Sequence, residues 1–160
     1  MGKQSSDLAG SVGLLLLRVV VSGYMITHGW GKFQMVLNGK FGEFPDPLGI
    51  GNGVSLVSAA FAEFICAILV VLGVATRMAC IPLIFTMCVA AFVVHSKDPW
   101  TMSKGAELFM SGAAKSWSSK QPALMFAAVY ASLLLTGPGK LSVDALVWPR
   151  LRKGQAGGAT

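Results

Sequence analysis

Val12-Gly13-Leu14-Leu15-Leu16-Leu17-Arg18-Val19-Val20-Val21-Ser22-Gly23-Tyr24-Met25-Ile26 decides the class of this chain, because Arg18 is its only charge and no proline interrupts it. Extended to Leu8 and Lys32, at about 1.5 Å per residue, the segment is long enough to cross a hydrocarbon layer of roughly 30 Å. A secretory signal would also explain an apolar run after Lys3, but Arg18 breaks its apolar segment and no small-residue cleavage site follows. Composition points the same way. Apolar residues make up 54% of the chain and charged residues 12%, against roughly a quarter charged in an ordinary soluble domain. A soluble enzyme, a nucleic-acid module and a disordered chain are excluded on that count. The net charge of +6 sits at the ends of apolar runs with no interleaved basic and aromatic patch, so it reads as juxtamembrane anchoring and not as nucleic-acid binding.

Working outward, three more apolar stretches follow. Val54 to Ala75 carries Glu63 as its only charge, Met78 to His95 follows after a tight turn at Thr76-Arg77, and Gln121 to Thr136 ends at Gly137-Pro138-Gly139, which cannot sustain a helix. The expected fold is all-α: an integral membrane four-helix bundle with spans at 8–32, 54–75, 78–95 and 121–136. Residues 1–147 form a single domain and 148–160 a basic, flexible tail. Four crossings put both termini on one side. Lys and Arg outside the spans divide evenly, with Lys3, Arg77, Lys140, Arg150, Arg152 and Lys153 on the terminal side and Lys32, Lys40, Lys97, Lys104, Lys115 and Lys120 opposite. All the arginines among them are on the terminal side, which favours a cytoplasmic placement of the termini.

The loops opposite the termini are long. Phe33 to Gly53 contains a Gly49-Ile50-Gly51-Asn52-Gly53 run without the strand and soluble helix that a phosphate cradle requires. Lys97 to Lys120 mixes Trp100, Met102, Phe109, Met110 and Trp117 with charges, as an interfacial or re-entrant segment does.

Ionisable groups inside spans are costly, so their depths carry information. Measured from Ser11, Ala75 and Met78 at about 1.5 Å per residue, Arg18 lies roughly 10 Å in, Glu63 roughly 18 Å, and His28 and His95 roughly 25 Å. His28, Glu63 and His95 are therefore expected to converge in the half of the bilayer away from the termini. Lys32 follows His28 by four residues on the same face, Arg18 reaches up from below, and Gln121 opens the last span. These six form a candidate intramembrane polar site for protons or a quinone head group. The competing structural reading pairs Arg18 with Glu63 and leaves His28, Lys32 and His95 snorkelling at the interface.

Two histidines without close spacing are a poor metal signal, and no metal site is expected. Cys66, Cys80 and Cys88 contain no C-x-x-C; Cys66 and Cys88 lie at similar depth, yet apolar thiols in helices usually serve packing. G-x-S-x-G, H-E-x-x-H, Walker and C-x-x-C-H motifs do not occur.

Several patches together resemble the DoxX family of small four-helix membrane proteins. They are Arg18 with His28-Gly29-Trp30-Gly31-Lys32, Ala62-Glu63-Phe64, Gly73-Val74-Ala75-Thr76-Arg77, His95-Ser96, and Gly137-Pro138-Gly139-Lys140-Leu141-Ser142-Val143-Asp144. The resemblance spans Leu8 to about Val147. It implies a bacterial inner-membrane protein associated with oxidoreductases, related to the membrane subunit of thiosulfate:quinone oxidoreductases and to proteins of thiol-redox complexes. Many members carry glutamate where this chain has Gln121, and an amide cannot release a proton.

Structural roles are expected at matched positions. Gly29 and Gly31 allow close helix approach, Gly137, Pro138 and Gly139 stop the last span, and Ser142 caps a short helix with Asp144 in its first turn. Arg77 is expected to anchor the turn and pair with Asp144.

Three functions follow from these residues. The first is a component of a quinone-linked or thiol-linked redox system, without a covalently bound cofactor and with quinone as its ligand. The second is a non-enzymatic subunit or assembly factor acting through a protein partner or a homo-oligomer. The third is a small-solute or proton carrier. A lateral apolar pocket beside His28, Glu63 and His95 favours the first; a fully paired polar cluster favours the second.

Overall fold

The computed structural model describes residues 2–147, and the tail expected over 148–160 lies outside them. Every regular element among the described residues is helical. Helix α1 runs Gly2–Leu37, past the expected end at Lys32, because the first residues able to stop it are Asn38 and Gly39, the latter at φ +67°. Helix α2 is Asn52–Leu72, α3 is Thr76–Val94, α4 is Met102–Met110 and α5 is Gln121–Thr136. A single 3₁₀ turn, Phe41–Glu43, interrupts the loop after α1. Residues Leu8–Leu37 of α1, together with α2 and α3, are long and apolar enough to cross a membrane; α5 is apolar but shorter.

The distribution of side chains is that of a lipid-solvated protein. Arg18, Ser22 and Thr76 are wholly buried and Glu63 is 2% exposed, whereas Leu16, Met78, Phe85 and Leu135 stand 59–79% exposed. In water that arrangement would leave large apolar faces unpaid; in hydrocarbon it puts polar groups where protein can satisfy them. The shared core is built from Met25, Cys66, Ala67, Val70, Cys80, Leu83, Tyr130 and Leu133. Helix α5 packs most extensively on α3, while α1 lies along α2 and touches α5 only lightly.

The turn between α2 and α3 is wider than Thr76-Arg77. Gly73 adopts the left-handed conformation at φ +72°, and the Gly73 and Val74 N–H groups bond back to the Val70 and Leu69 carbonyls, the Schellman arrangement that ends a helix. Thr76 and Arg77 therefore belong to the first turn of α3.

Two departures from α geometry fall where polar residues were expected. Phe61–Cys66 within α2 and Ala90–Val94 at the end of α3 are π-helical. Such wide turns shift the register of the side chains that follow and are found often at functional sites. The first contains Glu63 and the second ends at His95.

Candidate functional site

Gly29 brings α1 against the wide turn of α2. A Cβ there would meet the Glu63 carbonyl carbon at 2.6 Å and the Phe64 nitrogen at 2.7 Å, so only glycine permits this approach. One turn further along α1, the Lys32 Nζ donates to Glu63 Oε2 in an ion pair, with Glu63 2% and Lys32 23% exposed. Phe33 stacks on Phe64 at 4.5 Å and Trp30 tilts against Phe64 at 5.4 Å, placing an aromatic plate between the same two helices. Deeper in the core, the Tyr130 hydroxyl donates to Ser22 Oγ at 3.4 Å.

The other candidates do not join this pair. His28 is exposed on the outer side of α1. His95 turns toward the following loop, where its Nδ1 lies 2.7 Å from Asp98 Oδ2. Hydrogen bonds from His95 first and Ser118 second hold the Asp98 carboxyl below the usual carboxylate range. The expected convergence of His28, Glu63 and His95 is thus replaced by two separate pairs, because depth along helices does not fix rotation about them. Gln121 Oε1 accepts from the Met102 N–H at 2.8 Å, tying α5 to the start of α4. Asp98 was not singled out from sequence, although His95-x-x-Asp98 across a helix end is a readable signal. Asp46 was missed as well. It accepts from the Ile50 and Gly51 N–H groups and from Ser55 Oγ, ordering the glycine-rich run.

Arg18 reaches the opposite way from the expected one. Its Nη1 donates to the Val70 and Val71 carbonyls at 3.2 and 3.3 Å, and its Nη2 to the Leu141 carbonyl. It serves as a C-terminal cap for α2, where a cation also faces the negative end of the helix dipole, and does not pair with Glu63. Around it closes a knot of backbone and side chain. Ser142 Oγ accepts from the Ala145 N–H at 3.2 Å, capping a helical turn that starts at Val143. Asp144 Oδ1 and Oδ2 accept from the Ala75 and Thr76 N–H groups at 2.7 and 3.0 Å, while the Asp144 N–H donates to the Gly73 carbonyl at 2.8 Å. Asp144 therefore caps α3 across the molecule. Arg77 donates to the Leu135 carbonyl at 3.2 Å and packs against Gly137; the expected pair with Asp144 is not made, since the turn's own N–H groups take both carboxylate oxygens. A Cβ at Gly73 would meet Arg18 Nη1 at 2.3 Å, which explains the glycine twice over.

Cys66, Cys80 and Cys88 are free thiols. Cys66 and Cys80 are buried in the shared core, and Cys88 is partly exposed. Among the described residues no three His, Cys, Asp or Glu side chains converge as a metal set. An apolar groove of about 310 Å³ opens between α1 and α5, lined by Val21, Met102, Gln121, Pro122, Met125, Phe126 and Val129. A shallower one of about 380 Å³ lies against Phe41, Gly53, Val54, Val57 and Ser58. Neither is lined by His28, Glu63 or His95, where a pocket was expected.

A helical, lipid-solvated chain with a buried ion pair and a glycine-based terminal knot defines an integral membrane protein. Residues 13–96, more than half of the chain, match the DoxX family model, and the chain belongs to the DoxX family. An uncharacterized protein of Haemophilus influenzae is 30% identical over 139 residues, covering 82% of this chain and 87% of that protein. No solved structure matches the chain.

Proposed function

We propose that this DoxX-family protein is a four-helix subunit of a redox-linked membrane system, with α5 as its fourth crossing and both termini on the cytoplasmic side of a bacterial inner membrane. The carrying observation is the Lys32–Glu63 pair beside the π turn of α2. Burying an ion pair costs desolvation that its own attraction repays only with good geometry, and ionisable groups within spans are for that reason functional candidates. Its position also suits contact with a quinone head group: Trp30, 46% exposed, offers a face for a ring, and Lys32 offers N–H donors for a carbonyl oxygen. In this reading electrons come from a partner subunit, because a two-electron store among the side chains would need a cysteine pair, and Cys66, Cys80 and Cys88 are free thiols.

The test is a titration of the purified, detergent-solubilised protein with a short-chain ubiquinone analogue. Saturable binding is expected, about tenfold weaker in Lys32→Met and in Glu63→Gln, and unchanged in His95→Ala. Failure of the wild type to bind would sink the quinone reading. A second reading, a non-enzymatic assembly subunit, would then stand, favoured by the pairing of Lys32 with Glu63 and of His95 with Asp98.

A further inference from the structure

The groove between α1 and α5 is made by divergence. The two helices touch lightly, and Pro122, Met125, Phe126 and Val129 line it along one face of α5 over two turns, with Val21 opposite and Met102 at the rim. Its walls are nearly all apolar, and it lies at a level where exposed Val20 and Tyr24 on α1 and Met125 on α5 mark the lipid-facing surface. Water gains too few polar partners there to occupy it, and a void would forfeit dispersion contacts along its whole length.

One polar group stands at the end of the groove, and its orientation is fixed by chemistry. The Met102 N–H can only donate, so the atom of Gln121 facing it at 2.8 Å must be the carbonyl oxygen. The amide nitrogen is thereby turned the other way, where its recorded partner is the Met125 thioether at 3.8 Å, a poor acceptor. An apolar slot in hydrocarbon with an under-used N–H donor at its end suits a molecule that joins a long alkyl chain to a carbonyl oxygen.

We propose that this groove is a phospholipid site: one acyl chain lies against Val21, Phe126 and Val129, and its ester carbonyl accepts a hydrogen bond from Gln121 Nε2. The volume of about 310 Å³ sits at the lower end of ligand-pocket sizes, which suits a chain segment in preference to a whole amphiphile. This inference stands independently of the redox reading, which concerns Lys32 and Glu63.

Native mass spectrometry of the detergent-purified protein, followed by titration with a defined dioleoyl phospholipid, tests it. Wild type is expected to retain one phospholipid. Val129→Trp, which fills the groove, abolishes retention. Gln121→Glu keeps the oxygen acceptor that holds Met102 but removes the amide donor, and weakens the phospholipid about fivefold. The folded state of each variant is checked by its helical circular dichroism, and Gln121→Glu, which preserves the Met102 contact, serves if Val129→Trp does not fold. Retention of no lipid by the wild type, equal retention in the variants, or recovery of an isoprenoid quinone in place of the phospholipid each overturns the proposal.

Discussion

The two ends of the helix cluster hold their charges in opposite ways. At the Asp144 end, Arg18 and Asp144 are spent on backbone groups: Arg18 on the carbonyls of Val70, Val71 and Leu141, Asp144 on the N–H groups of Ala75 and Thr76. At the Lys32 end, Lys32 and Glu63 are spent on each other, and His95 on Asp98. A backbone group cannot be titrated away or rotate out of place, so the first arrangement is a fixture. A side-chain pair separates whenever one member changes protonation state or partner. Helix ends need permanent caps in a medium without water; chemistry, where it occurs, needs groups that exchange.

The comparison is broken most severely at Arg18. Arg18→Met leaves the Val71 and Leu141 carbonyls without the Arg18 donor, and a loss of roughly 3 kcal/mol or more is expected, measured by unfolding in mixed micelles. A loss under about 1 kcal/mol would mean that the fixture is dispensable. At the other end Lys32→Met strands a buried carboxylate and is expected to cost about 2–3 kcal/mol, below the fully buried case because Lys32 remains 23% exposed. Adding Glu63→Gln should return most of that cost in the same assay. If the double variant stays as unstable as the single one, the pair is structural in the way that Arg18 is.

The smallest effect is in pH. The Asp98 carboxyl is held low, chiefly by its hydrogen bond with His95. A carboxyl whose value is depressed on folding contributes stability above its unfolded value of 3.8 and loses it as pH falls through the folded one. Below about pH 4 the loop from Asp98 to Lys120 should therefore loosen, seen as a change in the fluorescence of Trp100 and Trp117. Asp98→Asn should remove that acid transition. An unchanged transition would separate the loop from the His95–Asp98 pair.

Sequence made the helices legible because hydrocarbon imposes length and polarity directly: each span ends within a few residues of a glycine, an asparagine or a polar cluster. The Asp144 knot was partly legible too. Ser142 as a cap and the stop at Gly137 follow from residue types with strong local preferences. The partners of Arg18 were not, since carbonyls belong to every residue and carry no side-chain signature. Depth placed Lys32 and Glu63 in the same half of the molecule, but α1 meets α2 along Gly29, so Lys32 reaches Glu63 from the edge of that contact while His28, about 40° further round the same face, stays exposed. The π turns shift the register of α2 and α3 relative to the regular α periodicity used to assign faces, and nothing in Phe61-Ala62-Glu63-Phe64-Ile65-Cys66 announces one.

The reach of Asp144 also sets a timetable. Thr76 must wait for a carboxylate 68 positions later in the chain, and Arg18 for a carbonyl 123 positions later. At about 5–20 residues per second of synthesis, the turn between α2 and α3 goes roughly 3–14 s without the contacts that close it. Helices α1 to α3 are thus made long before they can be latched, and the latch shuts only after α5 has been added.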